Sequence, residues 1–303
     1  MKERPPAKAA RVFHSGFVAV LGRPNVGKST LVNRFVGRKV SITSDHPQTT
    51  RRRISGVVTT DACQMVLLDL PGFQRPFDSL TRRMQKTVDE TLSEVDAALF
   101  LLNAEEPFAG GDRFIAAAVA EAKLPVVVAL NKMDRLAEKA MPRVLAEAAQ
   151  LVPHLSVFPL SALTGNGADA LLAELVAAMP EGPMYFPDGE VSDQPLEALI
   201  AELVREQALR RTREEVPHAI AVEVASINER KDRPLVEIEA NLIVETESQK
   251  AIVVGKGGSV VKQVGTAARH EIEAILGVQV FLALRVKVRK HWRRDESYIE
   301  RLL

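Results

Sequence analysis

Continuous apolar runs alternate with amphipathic stretches through roughly the first 180 residues. The runs are GFVAVLG (16–22), QMVLLD (64–69), DAALFLLNA (96–104) and PVVVALNKMD (125–134), and VFPLSALTGNG (157–167) repeats the scheme a fifth time. Helices are predicted near 29–36, 78–93 and 168–179, with one more before the fourth run. Apolar strands separated by helices predict a mostly parallel sheet covered on both faces. Ligands of such sheets sit at the carboxyl ends of the strands.

The pattern then changes. PEGPMYFPDGEVSDQP (180–195) is rich in Pro, Gly and acids and reads as a linker. Residues 196–212 read as a helix, and HAIAVEVASINER and PLVEIEANLIVE alternate apolar with polar positions, as half-buried strands do. A strand-like Val253-Val254 leads into GKGG, followed by a helical run, SVVKQVGTAARHEIEAILG, and a last strand, VQVFLALRVKVRKHW. The expected organisation is a tail over 1–14, an α/β nucleotide-binding domain over 15–180, a linker over 181–195 and a smaller α+β domain over 196–303.

Composition narrows the classes. A net charge of +1 excludes a polycation, so nucleic-acid affinity must come from a local patch. The one cysteine, Cys63, lies in a strand-like run, reads as core and excludes an intramolecular disulfide, which fits a reducing compartment. No apolar stretch reaches the ~18 residues of a membrane span. The start, MKERPPAKAARVFHSG, reads as a disordered tail, with a transit peptide as the alternative.

The loop after the first run carries the strongest motif. GRPNVGKS (22–29) matches G-x-x-x-x-G-K-[ST]. Gly22 and Gly27 let the backbone wrap phosphate closely, so that N–H groups from Asn25 to Thr30, including Val26, point at phosphate oxygens. Lys28 is expected on the β- and γ-phosphates and Ser29 on Mg²⁺. Asp134 of NKMD (131–134) can accept two hydrogen bonds that guanine offers and adenine lacks. Lys132 would lie along the base, Asn131 would brace neighbouring loops, and Ser161, Ala162 and Leu163 would face the guanine carbonyl. In DLPG (69–72), Asp69 is expected near Mg²⁺ through water and the Gly72 N–H at the γ-phosphate. Between these motifs Thr50 is the first choice, and Thr49 the second, for a mobile threonine that closes on the metal. Lys28, Thr50 and Gly72 are thus the expected catalytic set.

Many GTPases place glutamine directly after D-x-x-G to orient water. Phe73 stands there and cannot, so slow turnover is expected. Two readings stand for Asn25: it shapes the loop, or it helps hold an activating K⁺.

The second glycine cluster, Gly255-Lys256-Gly257-Gly258, lacks the first glycine of a nucleotide loop and has no base-reading motif after it. It fits the G-x-x-G of a KH domain, where glycines let two helices approach a single-stranded RNA backbone. Lys256, Lys262, Arg289 and Lys290 are candidate phosphate contacts. Residues 251–303 hold ten Lys/Arg against five Asp/Glu, while 190–250 hold eight against fourteen. The basic excess therefore surrounds the glycine loop, with an ordinary solvated basic face as the alternative. Trp292 could stack on a base or simply pack. His218 and His270 read as structural, and His46 is undecided.

GRPNVGKS, QTTRR, DLPG, NKMD and SAL occur in the order and spacing of translation-factor-type GTPases. Together with VSDQP, RTREEVPHAIAVEV and the QKAIVVGKGGSVVKQVG segment, they make residues 15 to about 294 resemble the Era-like family of bacterial GTPases. Leu70 replaces the family's usual threonine, and the tail after Trp292 diverges. The resemblance implies a P-loop GTPase domain followed by a type II KH domain, with GTP/GDP and Mg²⁺ as cofactors. It further implies that the chain binds the 3′ end of 16S rRNA and acts in 30S subunit maturation. A cytoplasmic monomer with peripheral inner-membrane contact is expected. The competing expectation is an RNA-binding assembly protein for which GTP is a structural ligand, and a GTPase that ignores nucleic acid is a third.

Overall fold

A computed structural model describes residues 12–73, 76–121, 123–152 and 155–303. Most of the N-terminal tail, 1–11, lies outside them. The chain folds in the order β1 (His14–Leu21), α1 (Lys28–Val36), β2 (Ile54–Thr59), β3 (Cys63–Asp69), α2 (Ser79–Leu92), β4 (Ala97–Asn103), α3 (Gly110–Glu121), β5 (Val126–Asn131), α4 (Met141–Leu151), β6 (Val157–Pro159) and α5 (Ala168–Ala177). These strands form one sheet ordered β2-β3-β1-β4-β5-β6, parallel except for the antiparallel pairing of β2 with β3. Residues of β1, β3 and β4 feed two apolar clusters, one on each sheet face, which explains why their sequences are apolar without alternation.

The antiparallel edge strand β2 is absent from the expected set. Gly56, serine and threonine dilute its apolar signal, and Gly56 is there for packing, since a Cβ would come within 2.7 Å of Val32 on α1. The segment read as a linker lies along this domain: Val57 N–H donates to Val191 O, and the Gln64 amide bonds the backbone of Tyr185 and Phe186. Helix α2 opens with a capping box in which Asp78 and Thr81 satisfy each other's backbone N–H.

The second part runs α6 (Leu196–Leu209), α7 (Val216–Ala219), β7 (Ala221–Glu229), β8 (Leu235–Val244), α8 (Glu247–Val254), α9 (Ser259–Leu276), β9 (Gln279–Val288) and α10 (Glu296–Leu302). Its sheet is β7-β8-β9, with β7 antiparallel and β9 parallel to β8, so the chain crosses over through α8 and α9. Val253 and Val254 are not strand: they form the last turn of α8, which a Thr246–Gln249 capping box begins. The alternative for Trp292 also resolves. It is fully buried, donates its indole N–H to Ala219 O at 2.8 Å and packs with Leu80 and Met84 of α2, so its face is closed to a base.

Helix α6 is buried nearly all round, including Glu202, Arg205, Glu206 and Gln207. One side packs on α9 and β7. The other side meets residues 39–51 of the first domain. Ile42 inserts into an apolar cluster with Ile200, Leu203 and Ile238. Glu206 accepts from Thr43 N–H at 3.0 Å and from Lys39, and Arg205 donates to Thr49 O. Polar residues lie inside because both ends of each interaction come from protein.

Candidate nucleotide and RNA sites

The loop after β1 enters α1 through glycines that have no substitute. Gly22 has φ 150° and Gly27 φ 102°; a Cβ would meet Leu101 O at 2.6 Å and the Asn131 amide at 2.2 Å, respectively. Lys28 folds back under this loop and donates to the carbonyls of Gly22 and Arg23, both at 3.1 Å. Burial pushes its ammonium down to about 8, with Asp69 opposing. Thr30 lies in the first turn of α1, and Val26 is buried with its carbonyl turned to Asn131.

Asp69 ends β3 and is fully buried. Its Oδ2 accepts from Ser29 Oγ at 2.6 Å, Ser41 Oγ at 2.5 Å and Thr50 Oγ1 at 3.3 Å, while Oδ1 has no partner among the described residues. Burial pushes this carboxyl up; Lys28 and the three hydroxyls pull it back. Ser29 and Thr50 stand 3.1 Å apart. A buried carboxylate with an idle oxygen beside two hydroxyls is a hard-oxygen donor set that fits Mg²⁺. Thr49 takes no part, because its hydroxyl donates to His46 O at 2.6 Å.

The base end is held from three sides. Asn131 donates to Val26 O at 2.7 Å and accepts from Ala162 N–H at 2.8 Å, joining the phosphate loop to the 161–163 loop. Lys132 adopts φ 69° and pairs with Glu105 at 3.0 Å, an ion pair that lowers the Glu105 carboxyl. Asp134 and Leu163 are exposed at the cavity, while Ser161 and Ala162 are buried beneath it. Arg34 of α1 holds the carbonyls of Ala162 and Leu163. The cavity between these ends measures about 490 Å³, which suits a nucleotide.

Gly72 lies against Pro24, 2.8 Å from where a Cβ would be. Phe73 points into the core beside Phe114, with ring centroids 5.2 Å apart. Asn25 has φ 63° and donates through Nδ2 to Asp45 O at 2.6 Å. Sequence reasoning missed Ser41, Arg34 and Glu105. No motif names them, and they reach the site only because the fold joins segments far apart in the chain.

In the second domain, Gly255, Gly257 and Gly258 have φ of 73°, 60° and 79°. A Cβ on Gly257 or Gly258 would meet nothing within 4 Å, so this backbone is open to an approaching partner. Lys256, Lys262 and Lys290 are exposed nearby or at the strand end. A shallow groove between α9 and β9 carries Lys262, Arg269 and the exposed Phe281. Arg289 is already engaged: it pairs with Asp295 at 2.6 Å and lies over the Tyr298 ring.

Comparison with known proteins agrees with this geometry. The family described as 50S ribosome-binding GTPase matches residues 17–132, and the KH domain family matches residues 215–293. GTPase Era of Mycobacterium tuberculosis H37Rv is 45% identical over 295 residues, covering 96% of this chain and 98% of its own. GTPase Era of Mycobacterium avium is also 45% identical, over 294 residues, with the same coverages. Among solved structures, Era in complex with MgGDPNP and nucleotides 1506–1542 of 16S ribosomal RNA superposes with a TM-score of 0.91 at 38% identity, covering 96% of this chain and 98% of that one. A point variant of Aquifex aeolicus Era bound to GDP·AlF4⁻ gives 0.92 at 38% identity, covering 96% and 99%.

Proposed function

The chain belongs to the Era family of GTPases, and from that premise we propose that it is a GTP-hydrolysing switch that reads the 3′ end of 16S rRNA through its KH domain during small-subunit assembly. One observation carries the switch: Thr50 and Arg51 are consecutive and face opposite partners. Thr50 joins the Ser29–Asp69 cluster. Arg51 enters the second domain, donating to Ile220 O at 2.6 Å and His218 O at 3.1 Å, with its guanidinium 5.4 Å from the centre of the Trp292 ring. Any shift in residue 50 on nucleotide exchange therefore reaches the KH domain through one peptide bond.

Each site residue has a place in this reading. Backbone N–H groups from Asn25 to Thr30 hold the phosphates, and Lys28 leaves its two carbonyl partners for the β- and γ-oxygens. Ser29 and Thr50 would ligate Mg²⁺, with Asp69 behind a water. That ion, when bound, offsets charge on the phosphates. Asp134 reads guanine, Lys132 covers the ring, and Asn131 fixes the loop carrying Ser161–Leu163. Gly72 N–H meets the γ-phosphate. Asn25 keeps its amide oxygen free of hydrogen bonds among the described residues, which favours its helping to hold K⁺. In the KH domain Gly255–Gly258 cradle the RNA backbone, and Lys256, Lys262 and Lys290 meet phosphates. Arg289 would have to exchange Asp295 for RNA.

We place the domain limits at 15–180 and 196–303, joined by 181–195, and the protein in the cytoplasm as a monomer that works on the 30S subunit. No helix among the described residues is long and apolar enough to cross a membrane. Peripheral inner-membrane contact would show as co-sedimentation with anionic vesicles. The switch is tested by the affinity of a labelled 16S 3′-end RNA with a non-hydrolysable GTP analogue or GDP bound. Different affinities are expected, and equal ones would contradict it.

A further inference from the structure

The side chain that usually orients the attacking water is missing here. Phe73 occupies the position after D-x-x-G, is 5% exposed and is packed with Phe114. Several other polar side chains of the cavity already have partners or roles. Lys28 serves phosphate, and Ser29 and Thr50 belong to the metal cluster. The Asn25 Nδ2, the Thr43 hydroxyl and the Thr49 hydroxyl donate to Asp45 O, Glu206 and His46 O. Gln48 differs. It lines the same cavity as Lys28, Thr50 and Gly72, is only 6% exposed, and its amide Oε1 is buried with no partner among the described residues.

Two costs meet at this residue. A buried carbonyl oxygen without a donor is unfavourable. Its backbone sits at φ 62°, a left-handed conformation that glutamine seldom adopts. Strain and an idle acceptor at one residue of a substrate cavity point to an absent ligand. We propose that Gln48 orients the water that attacks the γ-phosphorus. Oε1 is closed to solvent here, so the side chain turns toward the phosphate when GTP binds; Oε1 then accepts a hydrogen bond from that water and Nε2 can donate to a phosphoryl oxygen, the task a carboxamide performs in related chemistry. Water's oxygen bonds to phosphorus, the bond to the GDP oxygen breaks, and the proton leaves with inorganic phosphate. No redox partner is needed. The second domain also holds the chain beside this residue: Arg205 donates to Thr49 O and Arg51 donates to Ile220 O.

The inference rests on the GTPase reading, so the test separates the two. In the full chain, Gln48→Gly and Gln48→Ala are compared with the unaltered protein. Glycine removes the amide and accepts the left-handed backbone, whereas alanine removes it and keeps the strain. Single-turnover hydrolysis in Mg²⁺ and K⁺, affinity for a fluorescent GTP analogue, and the fluorescence response of bound GDP to AlF4⁻ are measured. Both variants should hydrolyse GTP ~100-fold or more slowly. Both should keep nucleotide affinity within about threefold and lose the AlF4⁻ response. Near-normal hydrolysis in Gln48→Gly would make the residue a backbone device and overturn the proposal. Loss of nucleotide affinity would make it a brace and overturn the proposal equally. Failure of the unaltered protein to bind GTP would instead overturn the GTPase reading.

Discussion

Replacing Arg51 with alanine should uncouple the two domains without unfolding either. The guanidinium is buried, makes two charge-assisted hydrogen bonds to the carbonyls of Ile220 and His218, and lies over Trp292. Such bonds contribute about 1.5–3 kcal/mol each against an unmade alternative. Burial disfavours the Arg51 charge, Arg205 adds to that and Glu202 opposes it, so part of the gain is spent on desolvation. A net loss of about 2–4 kcal/mol at the interface follows, with two carbonyls left bare. The contacts of Glu206 with Thr43 and of Ile42 with Ile200 remain, so the domains should stay associated but respond less to each other. The assay is a cycle: GTP-analogue affinity with and without saturating 16S 3′-end RNA, in the unaltered and Arg51→Ala proteins. Coupling is reciprocal for binding, so RNA affinity with and without nucleotide must change by the same factor. The ratio should collapse toward one in the variant while each single affinity stays within about tenfold. An undiminished ratio would show that the signal does not pass through residues 50 and 51.

Three other outcomes follow. Lys28→Ala removes the one buried ammonium of the phosphate loop and should weaken GTP binding by about 100-fold or more, measured by fluorescent-nucleotide titration; unchanged affinity would refute the phosphate assignment. Gly257→Asp places a charge and a Cβ where φ is 60° and the surroundings are open, so RNA binding should fall while nucleotide binding persists; loss of both would contradict a local role. Burial pushes the His218 imidazole down, with Arg293 and Arg51 adding to it, so the folded state binds that proton less readily than the unfolded chain. Stability from this group is present above the ordinary histidine value of about 6.5 and is lost as pH falls through and below it. Thermal melts from pH 7.5 to 5.5 should therefore decline less for His218→Asn than for the unaltered protein, and parallel curves would refute this.

Much of the nucleotide end was legible because its residues act locally: glycines that must turn, a lysine and a serine at a helix start, an aspartate ending a strand. The fold class followed from strands apolar on both faces. Strand β2 was illegible because Gly56 sits there to admit α1, which breaks the apolar signal. Val253 and Val254 mislead because β-branched residues suggest strand, while the Thr246 cap and the packing of Val253 decide for helix. Residues 196–212 read only as a helix, and the burial of their charged residues is explained by the docked residues 39–51. The roles of Ser41, Arg34, Arg51 and Gln48 belong to tertiary contacts that no local pattern reports.

The most direct measurement is multiple-turnover GTP hydrolysis with Mg²⁺ in K⁺ and in Na⁺, with and without a short RNA from the 16S 3′ end. Slow basal turnover is expected, faster in K⁺, with a further increase on adding that RNA but not a scrambled one. GTP and RNA each binding tightly while the RNA leaves hydrolysis unchanged would contradict a switch that joins the two domains.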